Sequence, residues 1–589
     1  MKRFPWGALR QSIVAVLLVL TLFVSGCMRQ EQPDAEDFSA FVWELFEQSV
    51  TSDTITFHYT LKEPERMGIT MDEVTWGQVD FSEEALEQEQ KEMEETLAEL
   101  RRYETVDLPS EDRLLYEILE YSLETELSFN QYIDLYEPFA YTSGLQMNLP
   151  ITLSEYPFYD RQDVEDYLQL LTFLPEYVGS FLDFERQKAE KGYFMSESNA
   201  EEVIRQCEEF IADPAHNVLI ETFESRIESM EGLPEKEKEE LQNRNLRAVL
   251  ESVAPTYETI IEVFEALKGS GQNELGLAGY ERGKEYYQYL LASTVGTDKT
   301  PEEVIAVLEQ ALQDTLQELV TLVSANFEEY SAYFQEETLY AASDPEEDIR
   351  YLEEVVTDRF PAISAIEFTV TPVHASLQDS VSPAFYMIPP IDAYQENSIY
   401  INEAGGSMGS LWATLAHEGI PGHMYQTVYF LSHNPHPLRS VLTFSGYSEG
   451  WATYVEMTSY AYYPFERELY GDLEKINAEL DLLVSARIEI GVNYEGWSLE
   501  ETQAFLTQLG LDASAAQDIM NYVIAEPVNY QMYCLGWLEL EELYAKAQEA
   551  QGEAFDEVAF HESVLQTGPC PFAILQKYVL PSAERYTSR

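Results

Sequence analysis

Apolar residues recur every three to four positions through most of residues 37–360, and that period constrains the architecture before any motif is considered. "FSEEALEQEQKEMEETLAELRRY", "SEDRLLYEILEYSLETELSF", "VEDYLQLLTFLPEYVGSFLDFERQKAEKG" and "TPEEVIAVLEQALQDTLQELVTLV" place apolar residues at i, i+3, i+4 and i+7, the stripe of an amphipathic helix. Thr300-Pro301-Glu302-Glu303 reads as a helix start, with a capping hydroxyl, proline at the first helical position and acids in the first turn. Strands do not alternate with these helices, which disfavours a doubly wound parallel sheet. No repeat period marks a solenoid.

One region departs from the helical period. "AIEFTVTPVHAS", "SPAFYMIPPI" and "NSIYINEA" are rich in β-branched and aromatic residues and punctuated by proline, which predicts a small sheet across 366–402. Its last strand, Asn397–Asn402, leads through "EAGGSMGS" into the helix that carries His417. An exposed strand edge there can hold a peptide extended by main-chain hydrogen bonds. Helices then resume over 440–462, 466–492, 499–508, 513–524, 527–550 and 555–567, the last stopped by Gly568-Pro569. The expected fold is mainly α, with one small β-sheet beside the helix that carries His417.

"LWATLAHEGIPGHMYQ", residues 411–426, comes close to the H-E-x-x-H pattern of zinc proteases. In that pattern two histidines four apart share one helix face and grip one metal. Here Pro421 stands at the second histidine position and His423 follows two residues later. On a regular helix a spacing of six turns the second ring by about 120° and moves it about 9 Å along the axis. The helix must therefore be interrupted between Glu418 and His423. Pro421 removes a backbone donor, and Gly419 and Gly422 allow backbone shapes that other residues resist. Downstream, "SEGWATYVE" offers Glu449 as third ligand, and Glu456, seven residues later, faces the same way. We assign His417, His423 and Glu449 to one zinc ion and Glu456 to orienting a histidine. Glu418 is the general base that activates the zinc-bound water.

"HEGIPGHMYQ", "EGWATYVE", "PVNYQMYCLG" and "FDEVAFHESVLQTGPCPFAIL", together with "SGLQMNLPITLSEYPF" and "GYERGKEYYQYLL", resemble the bacterial family known as domain of unknown function 885. The resemblance covers most of the chain after its N-terminal segment. Two departures are Asn529, where glutamine is expected, and Val528, where glycine is expected. That family is similar to the helical zinc oligopeptidases, such as thimet oligopeptidase and neurolysin. The similarity implies two helical lobes around a deep cleft, short peptides as substrates and exclusion of folded proteins. In the family-like C-terminal motifs, Tyr533 and His561 are the candidate donors to the oxyanion of the tetrahedral intermediate.

Other signals carry less. "GGSMG", Gly405 to Gly409, fits the G-x-S-x-G nucleophile pattern but lacks the βα repeats of a hydrolase sheet. Ser407 or Ser410 is better read as a helix cap. In "HNPHPLR", His433 and His436 do not read as a second metal site, and Arg439 is a candidate for gripping a substrate carboxylate.

The N-terminal segment sets the compartment. "MKR", the apolar run "SIVAVLLVLTLFV" and "VSGC" resemble a bacterial lipoprotein signal over residues 1–26, with Cys27 as the lipidated residue and 27–36 as a polar tether. Residues 37–589 are expected to form a single two-lobed catalytic domain. Without residues 1–26, 31 basic side chains face 107 acidic ones, a formal charge of −76. Such a field argues against nucleic acid as a partner. The expected protein is exported, held by lipid on the outer face of a bacterial cell membrane and active as a metallopeptidase. The alternative reading is a catalytically inactive lipoprotein that binds peptides. Cys207, Cys534 and Cys570 form no disulfide framework, and the sequence leaves a Cys534–Cys570 bridge open.

Overall fold

The computed structural model describes residues 33–336, 339–340, 344–378, 381–402, 404 and 411–580. Cys27, Ser407 and Ser410 lie outside the described residues. About 70% of the structure is helical, with a single three-stranded sheet among the described residues. The helices that matter here are α1 (Arg161–Lys191), α2 (Ala254–Leu267), α3 (Pro301–Ala325), α4 (Leu411–Glu418), α5 (His423–Ser432), α6 (Ser445–Ser459), α7 (Glu468–Ile490), α8 (Asn529–Gln551) and α9 (Glu557–Thr567).

The local signals act as the sequence requires. Thr300 caps α3 by accepting from the Glu303 amide, while the Glu303 carboxylate accepts from the Thr300 amide, a reciprocal capping box. The sheet is assembled from β1 (Phe368–Pro372), β2 (Ala384–Met387) and β3 (Asn397–Ile401) in the order β1-β3-β2. β1 runs parallel to β3 and β2 antiparallel to it. β2 therefore forms one edge, and that edge lies against α4.

Two large buried apolar clusters account for most of the core, beside a small one at Leu352, Trp412 and Ala416. One runs from Phe38 to Tyr132 and resumes from Leu277 to Leu575; the other is built mainly from residues 139–264. The sheet belongs to both. Ala384, Tyr386, Ile399 and Ile401 pack into the first cluster, while Phe385 joins the second, with Met387 and Tyr400 against it. Alternate residues of a strand point to opposite faces, so β2 and β3 tie the two clusters together. Without both contacts the sheet would leave one apolar face in water.

Cys207, Cys534 and Cys570 are buried free thiols. The bridge left open by the sequence is not formed. No helix among the described residues is long and apolar enough to cross a membrane.

Candidate metal centre

The helix carrying His417 ends at Glu418, and a new helix starts at His423. The break is built from the "GIPG" residues. Gly422 passes so close to the preceding turn that a Cβ there would sit 1.8 Å from the His417 carbonyl oxygen, so no larger residue fits. The Ile420–Pro421 bond is cis. The Pro421 carbonyl accepts from the Trp451 indole N–H at 2.9 Å, which ties the break to α6. The tight turn carries His423 back toward His417, bringing the two ring centroids to 4.9 Å at an interplanar angle of 83°.

α6 completes the cluster. The Glu449 carboxylate Oε2 lies 3.4 Å from His417 Nε2 and 3.3 Å from His423 Nε2. One ligand atom from each of the three residues lies within 4.8 Å of the others, and no other such group of three occurs among the described residues. Around a single ion with bonds of about 2.0–2.1 Å, tetrahedral ligands stand roughly 3.3–3.4 Å apart. The two nitrogen–oxygen distances match that edge, so the residues fit a metal ion. Glu456, two turns along α6, accepts from His417 Nδ1 at 3.0 Å. That bond fixes the ring so that Nε2 faces Glu449 and is the nitrogen available to a metal ion.

The electrostatics agree with the geometry. Burial alone would lower the His417 pKa, but hydrogen bonds with Glu449 and Glu456 and the Glu418 charge push it up to about 10. Burial works to raise Glu449, yet the His423 and His417 imidazoles hold its carboxyl well below the usual range. The cluster is thus a strong sink for positive charge, which a proton or a metal ion can fill. Burial raises Glu418, against the pull of His417 and His423. Its Oε2 accepts from the Tyr386 backbone N–H on β2 at 3.0 Å. Glu418, His423 and Glu449 line one cavity, together with Tyr386 and Met387 from the edge strand and Ile388 just after it.

A close helix crossing positions the next residue. A Cβ on Gly450 would lie 2.4 Å from the Gly536 backbone, and one on Gly536 would lie 2.2 Å from the Gly446 carbonyl oxygen. These glycines let α6 and α8 touch backbone to backbone, which brings the Tyr533 ring to 6.2 Å from the His417 ring. The start of α8 is strained: Val528 has φ +70°, a region that glycine favours and β-branched residues avoid. The departure from glycine noted in the sequence falls on that position. Its N–H and that of Tyr530 donate to the buried Glu489 carboxylate at 2.9 and 2.6 Å.

His561 is elsewhere. It is 0% exposed, stacked on Phe360 at 4.4 Å and 8°. Its Nδ1 donates to the Arg359 carbonyl at 2.7 Å, and its Nε2 accepts from the Tyr454 hydroxyl at 3.0 Å. With both nitrogens engaged and no face on the cavity, it offers nothing to an oxyanion, and the assignment is corrected to a packing role. Burial drives its pKa down to about 4. His433 and His436 likewise bond to backbone, to the Tyr429 carbonyl and the Leu438 N–H. Arg439 lines the metal-site cavity. The sequence reading missed Gly450, Gly536 and Trp451 as positioning residues; their place inside the "EGW" and "CLG" motifs was the available signal.

The comparisons agree with this architecture. The family profile described as "Bacterial protein of unknown function (DUF885)" matches residues 65–579. The chain belongs to that family. No functionally curated protein matches it. A crystal structure titled as a "putative lipoprotein" from Colwellia psychrerythraea superposes with a TM-score of 0.76 at 21% identity, over 97% of this chain and 98% of that one. A "putative lipoprotein of unknown function" from Shewanella oneidensis gives 0.63 at 16% identity, over 92% and 99%. Both are alike in fold. A "putative oligoendopeptidase F" from Bacillus anthracis gives 0.31 at 12% identity, over 83% and 94%, too low a likeness to argue from.

Proposed function

We propose that the protein is a zinc metallopeptidase that hydrolyses short peptides outside the cytoplasm. The observation that carries this reading is the cluster of His417, His423 and Glu449, two of which line one cavity with Glu418. Two imidazoles and one carboxylate form a ligand set used by catalytic zinc, which leaves an open position. When bound, the ion supplies a Lewis acid and lowers the pKa of water toward ~7.

The chain's own groups do the rest. Glu418 takes the proton of the attacking water at its carboxylate and delivers it to the departing amine. The Tyr386 N–H holds one of its oxygens at 3.0 Å, which keeps the other aimed at its task. Because the Tyr386 N–H points away from β3, the main-chain groups of alternate residues on that edge face the cavity. A peptide laid along Tyr386–Ile388 would be held extended beside Glu418. Tyr533 does not line the cavity, but its ring packs 6.2 Å from that of His417, so of the two candidates it is the one placed to donate to the oxyanion as charge develops. The buried walls on both sides admit a flexible peptide and exclude a folded chain.

The N-terminal signal in the sequence supports export and a lipid anchor at Cys27, and two solved structures similar to this chain are described with the words "putative lipoprotein". The test is digestion of a defined peptide mixture by the zinc-loaded protein, read by mass spectrometry. New peptide termini that vanish on chelation are expected. Intact peptides across the mixture would refute hydrolysis and leave peptide capture as the function.

A further inference from the structure

We infer that Arg439 anchors the terminal carboxylate of the peptide, so that the site trims substrates from their carboxyl end by one or two residues. The inference rests on the peptidase reading above and adds to it a substrate class and a direction.

Arg439 stands in the short turn Pro437–Ser440 and is 5% exposed, yet it lines the cavity that holds Glu418, His423 and Glu449. Among the described residues no other lysine or arginine lines that cavity. Its Nη2 donates to the Thr567 and Pro569 carbonyls at 2.6 and 3.1 Å. Its Nε is buried without a partner, and no hydrogen bond forms at Nη1 and no ion pair at the guanidinium among the described residues. Other buried cations in this protein are treated differently. Lys188 pairs with Glu137 and Glu185, and Arg487 with Glu309 and Glu495. A chain with 107 acidic side chains places none in contact with Arg439 among the described residues, and the carboxylate whose charge reaches it, Glu111, acts from a distance. A buried cation without a counter-ion is costly, and a substrate carboxylate would supply the missing charge through hydrogen bonds stronger than neutral ones.

The anchor is rigid. The two carbonyls fix one end of the guanidinium, and the Phe430 ring lies 5.4 Å from its centre. Phe430 is seven residues beyond His423 on α5, which is about 10 Å along the helix axis. Extended chain covers about 3.3–3.6 Å per residue. After a metal–oxygen contact at one end and a hydrogen bond at the other, that span holds one residue, or two if the chain bends.

The test compares pairs of peptides identical except for a carboxylate or a carboxamide at the C-terminus, offered to the zinc-loaded protein. The acid should be cut with kcat/KM at least about 100-fold above the amide, with release of one or two C-terminal residues. Arg439→Gln should lose that preference by lowering the acid to the level of the amide, while a role confined to holding the Thr567–Pro569 turn would lower both equally. Equal cutting of acid and amide by the unaltered protein, or cleavage far from the C-terminus, would overturn the inference while leaving the peptidase reading intact. If neither peptide is cut, the peptidase reading falls, and calorimetry still decides the anchor. Tighter binding of the acid by about 30-fold or more upholds it; equal binding, or none, overturns it.

Discussion

His417 and His561 are both buried and both hydrogen-bonded by α6, yet they have opposite properties. Glu449 and Glu456 face His417, and its pKa rises to about 10. Tyr454, five residues past Glu449, and a backbone carbonyl face His561, and its pKa falls to about 4. Five helical steps turn a side chain by about 140°, so one helix serves two unlike sites. The lesson is that burial alone makes a histidine inert. Burial among carboxylates makes it a place where positive charge collects.

The largest expected effect breaks the reactive side of that comparison. Glu418→Gln should cut turnover by about 10²–10⁴-fold while metal content, read by elemental analysis, stays at one ion per chain. Undiminished turnover would remove Glu418 as the base. Next, Tyr533→Phe should lower kcat about 100-fold with KM little changed, because the lost bond forms mainly in the transition state. Steady-state kinetics at saturating and limiting peptide separate the two constants.

Glu456→Gln sharpens the role of the helix in holding His417. It should weaken metal affinity by about 10–100-fold, measured by competition with a chelating dye. The smallest catalytic effect belongs to the other histidine: His561→Gln should leave kcat within about twofold. It should instead change stability. Below pH 6.5 the unfolded chain binds a proton that the folded His561 refuses until about pH 4, so its contribution is whole above pH 6.5 and is lost as pH falls through that window. That loss is on the order of 3 kcal/mol, about 1.4 kcal/mol for each unit between the two pKa values. Denaturant titrations at pH 7 and pH 4.5 should show a flatter acid decline in the variant.

Much of this was legible in the sequence because it follows from local rules. The helical period, the Thr300 cap and the mixed strand region all have short-range signatures, and the strand over 397–401 falls within the expected 397–402. The interruption at 419–422 was legible because six residues cannot be reconciled with one helix face. His561 was misread because its motif shows only that the residue type matters, not which way it points. Its surroundings are Arg359, Phe360 and Tyr454, more than 100 residues distant. The α6–α8 crossing at Gly450 and Gly536 was hidden for the same reason: a glycine's need for space depends on a neighbour far away in the chain.

The central claim is that one metal ion binds where His417, His423 and Glu449 converge. Zinc-edge anomalous diffraction from crystals grown with zinc measures it directly, with calorimetry giving the stoichiometry in solution. The account predicts one ion per chain, bonded at about 2.0–2.1 Å to two imidazole nitrogens and a Glu449 oxygen, and no binding at this site in His423→Ala. An anomalous peak elsewhere, or none between these three side chains, would contradict it.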